Sequence, residues 1–198
     1  TDANSCTNTN TVIVNVNPTP LASAGTDKDI CIGNNTTLNA SGGITYNWTF
    51  APELSNTAIF NPVVSNLLST TSFIVTVTDA NNCSDADTII VTVHPLPTVD
   101  ASPNQNMCEG SSVTLNASGA VSYTWSPVDS LSNPNIGNPV ANPAINTTYT
   151  VTGTDANSCI NTDNMVVTLA PLPVINFAAD SLSGCEPLTV NFSDNSIP

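Results

Sequence analysis

Positive charge is nearly absent from this sequence: Lys28 is its one basic residue, arginine is missing, and His94 is the single histidine. Against fifteen acidic residues this leaves a net charge of -14. Such a surface repels phosphate backbones and anionic lipid, so nucleic acid is excluded as a partner. No run of 18 apolar residues occurs, and no membrane insertion is expected. Catalytic groups are as scarce. His94 abuts Pro95 at a place where the other copies of a repeated pattern carry Asn17 and Ala170. Without arginine there is no guanidinium clamp for a phosphate or an oxyanion, and no glycine-rich nucleotide loop follows a strand to open a helix. The expectation is a protein that is not an enzyme. Aromatic side chains number only ten, few from which to build a sugar-stacking row.

What is present is repetition. Thr78-Asp79-Ala80-Asn81-Asn82-Cys83 is nearly restated at Thr1-Asp2-Ala3-Asn4-Ser5-Cys6 and at Thr154-Asp155-Ala156-Asn157-Ser158-Cys159, at separations of 77 and 76 residues. Ile30-Cys31-Ile32-Gly33 returns as Met107-Cys108-Glu109-Gly110, and Gly184-Cys185-Glu186 follows. A proline joint keeps the same beat at Pro18-Thr19-Pro20, Pro95-Leu96-Pro97 and Pro171-Leu172-Pro173. A period this long suits a bead that folds alone better than a solenoid unit that needs its neighbours. Cutting at the prolines gives the end of a preceding repeat over residues 1–17, full repeats over 18–94 and 95–170, and the opening of another domain over 171–198. The chain is therefore expected to be a window on something longer. The short joints, stiffened by proline, favour a rod.

Within each repeat the apolar residues alternate with a period of two. The strands expected in the first are a broken edge strand over Ala22–Ile30, then Thr36–Ala40, Ile44–Trp48, Thr71–Val77 and Thr88–Val93, separated by Gly, Pro, Asn and Ser turns, with a less regular crossing at 52–63. The second repeats them, and residues 11–16 read as the last strand of a preceding copy. Nowhere does a helical period persist. The fold class is all-β, a series of β-sandwiches, with Trp48 and Trp125 filling the space between two sheets and Phe73 and Tyr149 at equivalent core positions.

The repeated phrases, with Tyr123-Thr124-Trp125-Ser126-Pro127 and Thr147-Thr148-Tyr149-Thr150-Val151-Thr152, resemble the immunoglobulin-like and PKD-like repeats of very large secreted surface proteins of gliding and related Bacteroidota. Gly184 to Asp194 is similar to the opening of a PKD domain proper. The resemblance implies tandem immunoglobulin-like and PKD-like sandwiches and export through the type IX system. It also implies service as a cell-surface adhesin, filament or spacer. The location implied is secreted, at the cell surface or in an extracellular fibre. Partners would be other copies or further domains of the same protein, with surface glycans as a candidate ligand. By the same resemblance, Asp87-Thr88-Ile89, Asp129-Ser130-Leu131 and Asp180-Ser181-Leu182 look like O-glycan acceptors at Thr88, Ser130 and Ser181.

Several residue sets could carry chemistry or assembly. Six cysteines at repeated positions suit an oxidising compartment. Near-equal separations of 52 and 51 residues make Cys31–Cys83 and Cys108–Cys159 the simplest disulfides. Ordinary immunoglobulin topology, however, would set those partners at opposite ends of a strand. A bond from Cys31 to Cys159 across the joint is the alternative. No cofactor is required. Calcium is a candidate for Asp79, Asp85 and Asp87 in one repeat and Asp155 and Asp163 in the next, because acidic loops supply the oxygen ligands it needs. The plainer reading of Asp-Ala-Asn-x is a turn whose acid caps local N–H groups. Finally, residues 1–17 could be a strand donated to a neighbour and 174–198 an incomplete acceptor. The favoured function is a structural or adhesive region, with a carbohydrate- or protein-binding module, or a spacer within a secreted enzyme, as alternatives.

Overall fold

The computed structural model describes every residue except Phe50 and Pro198. It divides into two compact units, Thr1–Pro95 and Leu96–Pro198. No helix among the described residues is long and apolar enough to cross a membrane.

The first unit has six strands: β1 (Lys28–Cys31), β2 (Thr36–Thr37), β3 (Thr45–Trp48), β4 (Val63–Val64), β5 (Thr71–Thr78) and β6 (Ser84–His94). One sheet has the order β1-β6-β5-β3, antiparallel except that β1 joins the edge of β6 in parallel. The second, β2 with β4, is extended by bridges from Ser23 to Ser41 and from Leu54 to Val64. Alternation along β5 and β6 decides which face is buried. Phe73, Val75, Val77, Ile89 and Val91 turn into the core, while Ile74 and Ile90 remain exposed. Opposite them lie Leu38, Leu54 and Val64, with Trp48 fully inside as expected. Its indole N–H donates to the carbonyl of Ile59 at 2.9 Å, so the ring is buried at no cost in unpaired polar atoms.

The second unit repeats the plan with β7 (Gln105–Cys108), β8 (Val113–Thr114), β9 (Ser122–Ser126), β10 (Val140–Ala141), β11 (Thr147–Thr154) and β12 (Ile160–Ala170). Its main sheet has the order β7-β12-β11-β9. Phe73 pairs with Ile89 in the first unit and Tyr149 with Met165 in the second, so the registers match residue for residue. Trp125 Nε1 donates to Ile136 O at 3.0 Å, reproducing the tryptophan anchor.

The flanking segments differ. Residues 11–16 are not part of a sheet, and Val12, Ile13, Val14 and Val16 stand about four-fifths exposed or more. Their counterparts at the end of β6 are hydrogen-bonded on both sides, by β5 and β1; without such neighbours the apolar alternation has no surface to cover. At the other end, β13 (Phe177–Ala179) pairs with β14 (Phe192–Asp194), and a bridge joins Val174 to Ile197. Asp180 accepts the amide of Asn191 at 3.0 Å and its side-chain N–H at 2.7 Å, which pins this hairpin and holds the acid below its ordinary pKa.

Candidate functional site

The repeated phrase folds the same way three times. Asp79 Oδ1 accepts the amides of Asn81 at 2.8 Å and Cys83 at 2.9 Å. Asp155 does so for Asn157 and Cys159, both at 2.8 Å, and Asp2 for Asn4 and Cys6, both at 2.9 Å. The residue before the cysteine takes a positive φ each time: Ser5 at 66°, Asn82 at 59° and Ser158 at 64°. One carboxylate thus satisfies the two amides that the tight reversal would strand.

The other candidate calcium ligands hold the edge of the sandwich. Asp85 Oδ2 accepts the amide of Ala22 at 3.1 Å, Asp87 Oδ2 that of Ala24 at 2.8 Å, and Asp27 Oδ1 that of Ile90 at 2.9 Å. In the second unit Asp163 accepts from Ala101 at 2.9 Å and Asn104 from Val166 at 2.8 Å, while Asn161 donates to Pro97 O at 2.9 Å. These side chains replace the backbone ladder where the first segment of each unit runs beside the last strand, before β1 and β7 take up true pairing. The amides of Ala24 and Thr88 hold the Asp87 carboxyl below its ordinary pKa. Among the described residues no three of His, Cys, Asp or Glu lie close enough together to hold a metal ion.

The cysteines depart from the simplest expectation. Cys31 and Cys159 are disulfide-bonded, whereas Cys6, Cys83, Cys108 and Cys185 are free thiols. Neither Cys31–Cys83 nor Cys108–Cys159 is formed, and strand length explains why. Cys31 sits opposite His94 at the end of β6, while Cys83 precedes its first residue. Eleven residues of strand place the two ends about 35 Å apart, where a disulfide needs Cα atoms within about 7 Å. Cys108 opposite Ala170 and Cys159 before Ile160 are held apart by β12 in the same way.

His94 Nε2 lies 2.9 Å from Asp29 Oδ1, across the β1–β6 edge. Of the three candidate glycan acceptors, Thr88 and Ser130 are exposed and Ser181 half-buried.

An open cleft of about 320 Å³ in the second unit is lined by Pro127, Asp129, Pro143, Ala144, Ile145 and Tyr149, among others. The Tyr149 hydroxyl is buried with no hydrogen-bond partner. Burial first, and then the negative charge of Asp129, push its pKa up, so the hydroxyl stays protonated throughout the working range.

No family model and no curated protein matches the chain. Solved structures do. The two immunoglobulin domains of DIP-gamma align over 77% of this chain and 98% of theirs at 11% identity, with a TM-score of 0.39. A three-domain I-band fragment of titin aligns over 80% of this chain and 68% of its own at 12% identity, TM-score 0.44. The PKD domain of the KIAA 1837 protein covers 41% of this chain and 93% of its own at 26% identity, TM-score 0.35. By its own strand orders and registers the chain is built of tandem immunoglobulin-like and PKD-like β-sandwiches. At TM-scores below 0.5 the likenesses themselves carry no argument, and activity is argued from the residues.

Proposed function

We propose that the two repeats are a structural or adhesive, non-catalytic stretch of a long extracellular surface protein or fibre. The observation behind this reading is that two successive units share strand order, register, the tryptophan anchor and the carboxylate-capped turn. What the two repeats share is what holds each sandwich together, and the acids Asp79, Asp85, Asp87, Asp155 and Asp163 all accept backbone amides. The net charge of -14 with a single lysine suits a solvated surface that does not adhere to nucleic acid or anionic membrane. The finer assignment, to the repeats of large Bacteroidota surface proteins exported through the type IX system, draws on the quoted phrases. O-glycans at Thr88, Ser130 and Ser181 belong to the same proposal.

The test is made in the organism that encodes the chain. Antibody against residues 18–170 should label intact cells, and in-frame deletion of that segment should weaken attachment to a surface under flow. Labelling that needs lysed cells would overturn the proposal, as would a deletion that abolishes an enzymatic activity while attachment is unchanged. A binding role is the second reading, and the cleft beside Tyr149 favours it.

A further inference from the structure

The cleft in the second unit is lined mostly by residues that differ from their counterparts in the first. In the first unit Leu67 and Phe73 are buried together in the core. The second unit carries Pro143 and Tyr149 at the corresponding positions, each 76 residues on. A proline ring fills less of the space than a leucine side chain, and the tyrosine adds an oxygen at the floor. The cleft offers about 320 Å³ of open space beside a buried, unpartnered hydroxyl, at the lower end of the range for small-ligand sites.

The rest of the cleft is ordered and has a sign. Its lining is tied down: the Ser130 carbonyl accepts the amide of Asn142 at 2.9 Å. Thr147 Oγ1 donates to Ile145 O at 2.8 Å. Pro127, Pro143, Ala144 and Ile145 form apolar walls, and the exposed carboxylate of Asp129 lies at the mouth.

We propose that this cleft binds a primary alkylammonium group, as carried by a lysine side chain. An ammonium has three N–H donors, enough for one to the Tyr149 oxygen and one to Asp129, with the third left to water. A four-carbon stem lies against the prolines, as such stems do on apolar surfaces. A carboxylate or phosphate would satisfy the hydroxyl equally well, but Asp129 and the net charge of -14 repel it. The proposal goes beyond the structural role above, and the two can fail separately.

The test is an NMR titration of the two-unit protein, with tyrosine rings and isoleucine methyls labelled. n-Butylammonium should give a saturable shift of the Tyr149 ring and the Ile145 methyl, with a midpoint in the millimolar range expected for about five non-hydrogen atoms. Butyrate should give none, and n-butanol should bind at least about tenfold more weakly. Asp129→Asn and Tyr149→Phe, the latter read at Ile145, should each weaken butylammonium by a similar factor; Phe73 in the first unit shows that the phenylalanine variant can fold. Tighter binding of Nα-acetyl-lysine methylamide than of butylammonium points to a protein lysine as the natural ligand, and the reverse to a free amine. Butanol binding as well as butylammonium, an unchanged midpoint in Asp129→Asn, or no saturable shift below about 100 mM would overturn the proposal.

Discussion

Tyr149→Phe should stabilise the second unit, and the reverse change, Phe73→Tyr, should destabilise the first. The two side chains occupy the same place in β11 and β5, both essentially fully buried, and differ by one oxygen. A buried hydroxyl without a partner costs about 1–3 kcal/mol. In the second unit the gain on removing the oxygen is set at the low end, about 1 kcal/mol, because the phenylalanine leaves a small void where the buried oxygen was. In the first unit Leu67 packs against the core where the second has Pro143, so the added oxygen should cost nearer 2–3 kcal/mol. For units of this size each kcal/mol moves the melting midpoint by about 4–8 °C. The assay uses fluorinated tryptophan: Trp48 and Trp125 lie one in each core, so two ¹⁹F signals report the two melts separately. A lower midpoint for the second unit in Tyr149→Phe, or an unchanged first unit in Phe73→Tyr, would show the hydroxyl to be satisfied and refute the reasoning.

Two further outcomes follow from the carboxylates and the thiols. The Asp87 carboxyl is held below its ordinary value of 3.8, so its contribution is fully present above the unfolded value and is lost as pH falls through the lower, folded one. The first unit's midpoint should be flat from neutrality to about pH 4 and fall below that; Asp87→Asn should flatten the fall, and an unchanged acid limb would count against the contact with Ala24. In the second unit Asp163→Ala should speed hydrogen exchange at the Ala101 amide several-fold, and unchanged protection would show the 2.9 Å bond to be dispensable. Alkylation of folded, unreduced protein should label Cys6, Cys83, Cys108 and Cys185 but not Cys31 or Cys159, whose linkage is then read from the bonded peptides. Labelling of Cys31 or Cys159, or protection of Cys83 and Cys108, would contradict the assignment.

Legibility in the sequence followed periodicity. The period-two runs of β5, β6, β11 and β12, the two tryptophans and the Asp-Ala-Asn turn could be read directly, because each is a local pattern with one geometric solution. The two-residue strands β2 and β8 were expected longer than they are, and β4 and β10 were blurred into the irregular crossing, since pairings two residues long leave no period to detect. What sequence could not show depended on what lies across the sheet. Asp85 and Asp87 sit on one face of β6 and look like ligands until Ala22 and Ala24 are found opposite them. The cysteine separations suggested closed loops within a repeat, although the 11-residue strands between the paired positions already forbade them. The cleft had a faint signal: Leu67 and Phe73 both change, to Pro143 and Tyr149, between otherwise parallel repeats.

The central claim is that the chain is a series of independently folding sandwich beads able to bear load, and pulling a single molecule by its ends tests it most directly. With reductant present, so that no disulfide shields part of the length, each full repeat of about 76 residues should open in its own event. Each event should release about 26 nm of contour less the folded span, from about 3.4 Å per residue. Smooth extension without discrete events, or one event spanning both repeats, would contradict it.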